Sequence, residues 1–177
     1  MEPYLVDSPI APINYYGATK ADGESLALYK NPKTIVIRTS WVFSSHGNNF
    51  VKTMLRLMKE REELNIVGDQ LGRPTYAYDL AMVTLQIVEH VNTGKSIQGI
   101  YHFANTGAIT WFDFAVAIKE KANLTCTLRK ITSDQFSTPA KRPAYSVLDT
   151  SKIEKQLLIH IRPWEEALNQ CYNEMLK

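Results

Sequence analysis

The chain has 177 residues, 45% of them hydrophobic, and a formal charge of +2. That is enough to bury a core and predicts one globular domain or slightly more. Lysines and arginines are spread along the chain rather than gathered in a stripe, which argues against a nucleic-acid binder. No apolar run approaches the roughly 20 residues of a bilayer span, so a membrane protein is not expected.

The start, "MEPYLVDSP", is unlike a signal peptide, and a cytoplasmic address is expected. Pro3, Pro9 and Pro12 make the first thirteen residues a loop. From Asn14, a helix-capping residue, the chain is expected to be helical to about Tyr29, where Asn31 and Pro32 stop it. "KTIVIRTSWVF" is a short, β-branched apolar run suited to a buried parallel strand. "NNFVKTMLRLMKERE" carries Phe50, Met54, Leu55 and Met58 on one helical face.

"LNIVGDQLGRPTY" predicts a brief strand and a turn-rich loop, and "AYDLAMVTLQIVEHV" a second strong helix, with Asp79 bonding to backbone at its start. "GIYHFAN" follows as a strand in which His102 is given no chemistry. Thr110 and Asp113 then fit a capping box that opens a further helix. Trp111, Phe112 and Phe114 are expected to pack in the core there. The tail holds two more helical stretches, with Pro163 at the first position of the last one. Strands alternating with helices predict an α/β fold with a parallel sheet.

Cys126 and Cys171 lie far apart without metal-type spacing and are expected to be free, and the four histidines form no ligand pattern, so no metal site is expected. The glycines never approach G-x-G-x-x-G, so the usual phosphate-binding turn of a dinucleotide site is not supplied here.

Within "INYYGATKADGE", Tyr16 and Lys20 stand four residues apart and so share one helical face. The spacing alone is weak, because a Tyr-x-x-x-Lys match is expected by chance about once in such a chain. Tyr29 and Lys33 form a second match, and Pro32 rules out a helix that would align them.

The ordered segments "PINYYGATKADGE", "VIRTSWVFSSHGNNFVKTML", "GDQLGRPTYAYDLA", "YHFANTG" and "KRPAYSVLDTSKIE" resemble the extended short-chain dehydrogenase/reductases, and more narrowly the dTDP-4-dehydrorhamnose reductases. The likeness covers the whole chain but only the later part of the family's sequence. It implies the later half of a Rossmann-type parallel sheet with a smaller α/β substrate-binding lobe. Residues 1–43 and 77–104 would belong to the Rossmann layer, 44–76 to a substrate-binding segment, and 105–177 to the lobe. The implied reaction is reduction, by NADPH or NADH, of the C4 keto group of dTDP-4-dehydro-L-rhamnose.

In that likeness Tyr16 and Lys20 match the catalytic pair, which also binds the cofactor. An ammonium beside a phenol favours the phenolate, so the phenol can protonate the C4 oxygen while the lysine bonds the nicotinamide ribose. Trp41 matches a tryptophan that packs on the deoxysugar, and Asn49 an asparagine that opens a helix near the pyrophosphate. Arg73 and Arg142, on proline-stiffened loops, offer planar forks for phosphate oxygens. Val6 stands where the family often has an acid.

The glycine-rich turn and the Ser/Thr that completes the family's active site have no counterpart in these residues. The isolated chain is therefore expected to be weak or inactive, with a sheet edge open to a second copy or to a complementary N-terminal half. A non-catalytic, reductase-like regulatory or binding subunit is the alternative reading. Trp41 and "GNNF" favour the enzyme.

Overall fold

The computed structural model describes residues 2–136 and 138–177. The first helix, α1 (Tyr15–Lys30), begins at the Asn14 cap, whose side chain accepts from the Gly17 amide at 2.7 Å. It leads into β1 (Ile35–Arg38), which pairs in parallel with β6 (Gly99–His102). The apolar run expected to form one strand is broken at Trp41, whose φ of 48° lies in the left-handed region. Beyond that kink β2 (Val42–Phe43) joins a different parallel pair, with β5 (Thr75–Tyr76).

Between them lie α2 (Phe50–Glu60), β3 (Glu63–Val67) and β4 (Leu71–Gly72); after β5 comes α3 (Ala77–Asn92). After β6 come β7 (Ile109–Thr110), α4 (Trp111–Lys121) and β8 (Thr127–Ile131). The chain ends with β9 (Tyr145–Ser146), α5 (Ser151–Leu157) and α6 (Trp164–Met175). The architecture is α/β with parallel strand pairs, as expected, and the Thr110/Asp113 capping box is present. Pro163 is the cap of α6 rather than its first helical residue. Strand β8, for which no element was expected, pairs in parallel with β3, while β4 lies between β7 and β9.

Two apolar clusters form. One gathers Phe43, Val51, Met54, Tyr76, Phe114, Ile118, Trp164 and Cys171 where α2, α4 and α6 meet β3. The other gathers Val83 and Ile87 of α3, Tyr101 and Phe103 around β6, and Ile153 of α5. Residues 151–157 thus pack with the 77–104 elements, although they lie within the 105–177 segment. Both cysteines are free and buried, and burial pushes the Cys171 thiol up to about 12.

Among the described residues β1 has β6 as its only strand partner. The carbonyls of Thr34 and Arg38 accept from Gly99 and Phe103 across that pair. By the alternation of a parallel ladder, Ile35 and Ile37 direct their amide groups to the opposite, open edge.

Candidate active site

The Asn14 cap fixes where α1 starts and so where its first turn points. Tyr16 lies in that turn with 70% of its surface exposed, and Lys20 one turn on is also exposed. The Lys20 Nζ stands 5.3 Å from the centroid of the Tyr16 ring. Phenol and ammonium therefore form one patch, held by the i, i+4 geometry of the helix and by the attraction of a cation for an aromatic face. The amide of Asn14 also donates to the Lys141 carbonyl at 2.8 Å, tying the start of α1 to the loop that carries Arg142.

Beside that loop opens a cleft of about 1300 Å³. Phe50, Met54, Leu57, Ile66, Trp111 and Tyr145 give it apolar walls, and Asp69, Gln70 and Arg142 line it with polar groups. Asp69 accepts from the hydroxyl and the amide of Ser133 at 2.6 and 2.8 Å. These bonds, the hydroxyl's first, hold its carboxyl below the usual carboxylate range. Gln70 donates to the Ser133 hydroxyl at 2.8 Å and accepts from the Trp111 indole at 3.2 Å, which orients that ring. Asp69, Gln70 and Ser133 were missed from sequence; for the first two the signal was the turn-rich "VGDQLG" directly after a short strand.

Of the six residues singled out from sequence, Arg142 lines the cleft, and Tyr16, Lys20, Trp41, Asn49 and Arg73 do not. Trp41 is stacked on Trp111, with ring centroids 3.6 Å apart and planes 11° from parallel. Its edge lies over Gly72, where a side-chain carbon would meet the indole at 2.5 Å. Trp111 is therefore both a packing residue and a wall of the cleft, which the expectation of core packing only half captures.

Asn49 caps α2, accepting from the Lys52 amide at 3.3 Å and donating to the carbonyls of Ser44 and His46 at 2.8 and 3.2 Å. Its amide thus closes its own loop. Arg73 turns its Nη1 to the Leu148 carbonyl at 2.9 Å, and its Nε is buried without a partner among the described residues.

Asp79 departs from expectation. Its carboxylate accepts not from backbone but from Arg162, at 2.6 and 2.9 Å, and from the Asn105 amide at 2.7 Å. The fork of a distant arginine outcompetes the local amides because a charge-assisted bidentate pair is the stronger bond. His102 is buried, and that burial lowers its pKa, with the nearby Arg38 charge adding to the effect. Among the described residues no three metal-ligating side chains come together, and no helix is long and apolar enough to cross a membrane.

A model of the RmlD substrate binding domain matches residues 1–177. The dTDP-4-dehydrorhamnose reductase of Aggregatibacter actinomycetemcomitans is 46% identical over 90% of this chain and 56% of its own length. The Bacillus subtilis spore coat polysaccharide biosynthesis protein SpsK is 39% identical over 98% of this chain and 59% of its own. A crystal structure of dTDP-4-dehydrorhamnose reductase from Bacillus anthracis, in complex with NADP, superposes with a TM-score of 0.90 at 38% identity, covering 98% of this chain and 59% of that one. The chain thus spans less than two thirds of the length of each of these relatives. With the family model matched end to end and the fold shared, the chain belongs to the RmlD substrate binding domain family, the family of the dTDP-4-dehydrorhamnose reductases.

Proposed function

We propose that the chain is the proton-donating and sugar-nucleotide-holding part of a cytoplasmic dTDP-4-dehydrorhamnose reductase, which reduces the C4 keto group of dTDP-4-dehydro-L-rhamnose to give dTDP-L-rhamnose. The observation that carries this reading is the exposed Tyr16 with Lys20 Nζ 5.3 Å from its ring, one turn apart at the start of α1. NADPH or NADH, when bound, supplies the hydride that goes to C4. Tyr16 gives its phenolic proton to the C4 oxygen, so that a hydroxyl forms as the carbonyl π bond is lost. Lys20 holds the nicotinamide ribose and favours the phenolate left behind.

The residues present fit only one end of that cofactor. Tyr16 and Lys20 suit the nicotinamide ribose, whereas no glycine-rich turn between a strand and a helix is present among the described residues to cradle a pyrophosphate. In this reading residues 1–43 and 77–104 serve the cofactor side, and 44–76 and 105–177 the sugar nucleotide. Trp41, Asn49, Arg73 and Arg142 are its proposed contacts. The open edge of β1 takes a further strand, either from an N-terminal half or from a second copy of the chain.

The test is Tyr16→Phe in the full-length reductase of which this reading makes the chain a part. The expected result is a kcat lower by about 10²-fold or more with dTDP-sugar binding nearly unchanged. Unchanged turnover would overturn the assignment.

A further inference from the structure

Glu24 stands one turn beyond Lys20, as Lys20 stands one turn beyond Tyr16, so the three form a single row along α1. The Glu24 carboxylate is gripped by Arg38, the last residue of β1. Arg38 Nε donates to one oxygen at 2.8 Å and Nη2 to the other at 2.5 Å. The two side chains are 11% and 23% exposed. Arg38 Nη1 also donates to the Val6 carbonyl at 3.2 Å and lies 3.4 Å from His102 Nε2. One guanidinium thus ties together α1, the end of β1, the end of β6 and the loop that precedes α1.

A helix normally takes its roll about its own axis from an apolar stripe pressed into the core. Among the described residues α1 has no fully buried side chain, and the positions it turns partly inward include only Gly17, Ala18, Ala21 and Leu28 besides Glu24. Small side chains give little purchase against rotation. Asn14 bonds the Lys141 carbonyl at 2.8 Å, and Thr34 bonds the Ala27 carbonyl at 3.1 Å, but these tethers act near the two ends. The planar, two-pronged fork at Glu24 is what resists a roll.

We propose that Arg38 and Glu24 are positioning residues. They set the roll of α1 and thereby aim the Tyr16 phenol and the Lys20 ammonium, and Arg38 keeps the Glu24 carboxylate from capturing Lys20. This rests on the catalytic reading of Tyr16 and Lys20 given above. The second part follows from spacing, because a carboxylate and an ammonium at i and i+4 pair whenever both are free. With both oxygens engaged by Arg38, Glu24 leaves Lys20 unneutralised.

The experiment measures kcat, KM for the sugar nucleotide and thermal midpoint in the full-length enzyme for Glu24→Gln, Arg38→Met and the double variant, with Tyr16→Phe as reference. A misaim of about 1 Å can cost on the order of 10²-fold in rate. Glu24→Gln is expected to lower kcat about 10-fold with KM within about 3-fold. Arg38→Met is expected to be worse, by about 10²-fold, because the freed carboxylate takes Lys20, and the double variant to recover to the level of Glu24→Gln. A purely structural pair would instead lower kcat only in step with the thermal midpoint across the three variants, which would overturn the proposal. So would an unchanged kcat in Glu24→Gln while Tyr16→Phe loses turnover. If Tyr16→Phe keeps full turnover, the catalytic reading fails and the proposal falls with it. Should Arg38→Met fail to fold, Glu24→Asp keeps the charge and shortens the arm by one methylene. It must then lower kcat about 10-fold for the proposal to stand.

Discussion

The region where α2, α4 and α6 meet buries fifteen apolar side chains in one cluster, among the described residues, whereas the region around β1 and β6 buries seven. The first closes on itself. Phe114 sits at its centre, with Phe43, Phe50 and Trp164 rings 5.4 to 5.6 Å away in edge-on and offset arrangements. The second ends at an open strand edge and a helix with no fully buried side chain. In one region apolar burial fixes geometry; in the other, hydrogen bonds and ion pairs do. The proposed Tyr16/Lys20 pair lies in the second region, and the cleft that Arg142 lines lies against the first.

The largest expected effect breaks the first region. Phe114→Ala removes a fully buried ring from close-packed surroundings and should cost about 3–5 kcal/mol. Leu26→Ala, at a 57% exposed position of α1, should change stability by no more than about 0.5 kcal/mol. Urea midpoints of the two variants, measured on the chain alone, decide the matter. Comparable losses would mean that α1 is packed far more tightly than its exposure indicates.

A smaller effect is expected where the two regions are joined. Tyr76, in the first cluster, donates its amide to Asn105 at 2.8 Å, and Asn105 donates in turn to Asp79 of α3 at 2.7 Å. Arg162, which grips Asp79, lies between Ile161 of the second cluster and Trp164 of the first. Asp79→Asn leaves this guanidinium without its counter-charge. A loss of about 2 kcal/mol is expected, less than for a fully buried pair because the Arg162 side chain is 29% exposed. The two clusters should then unfold less cooperatively, read as a shallower urea transition. An unaltered slope would show that the apolar contacts alone keep the regions coupled.

The same division explains what the sequence disclosed. Local signals were legible: the Asn14 cap, the Thr110/Asp113 box and the apolar faces of α2 and α3 all mark elements that stand where periodicity places them. Long-range partners were not. Asp79 reads as a helix-start acid because Arg162 lies 83 residues away, and Trp41 and Trp111 read as unrelated although their rings stack. Strand β8 escaped notice because the alternation in "TLRKI" is interrupted by two adjacent charges, and only pairing with β3 makes it a strand. At the site, Tyr16 and Lys20 could be found because a motif of fixed spacing lies within one helix. Asp69, Gln70 and Ser133 meet only once β3 and the turn beyond β8 are side by side.

A modest gain is expected from the contrast between two glycines. At Gly72 a side-chain carbon would meet the Trp41 indole at 2.5 Å and the Ser146 hydroxyl at 2.7 Å, so in this packed layer the absence of a side chain is required. Gly23, inside α1, has nothing within 4 Å of the same position, and it adopts ordinary helical geometry. There glycine carries only its entropic cost, and Gly23→Ala should stabilise the chain by about 0.5–1 kcal/mol. The gain should appear as a higher urea midpoint and as slower amide exchange across Ala21–Leu26. Because a side-chain carbon at Gly23 meets no atom of Tyr16 or Lys20 within 4 Å, the substitution stiffens the helix without touching that pair. If the midpoint rises while exchange in α1 does not slow, the helix is already as ordered as its Arg38 anchor makes it. The gain would then come from the unfolded chain alone.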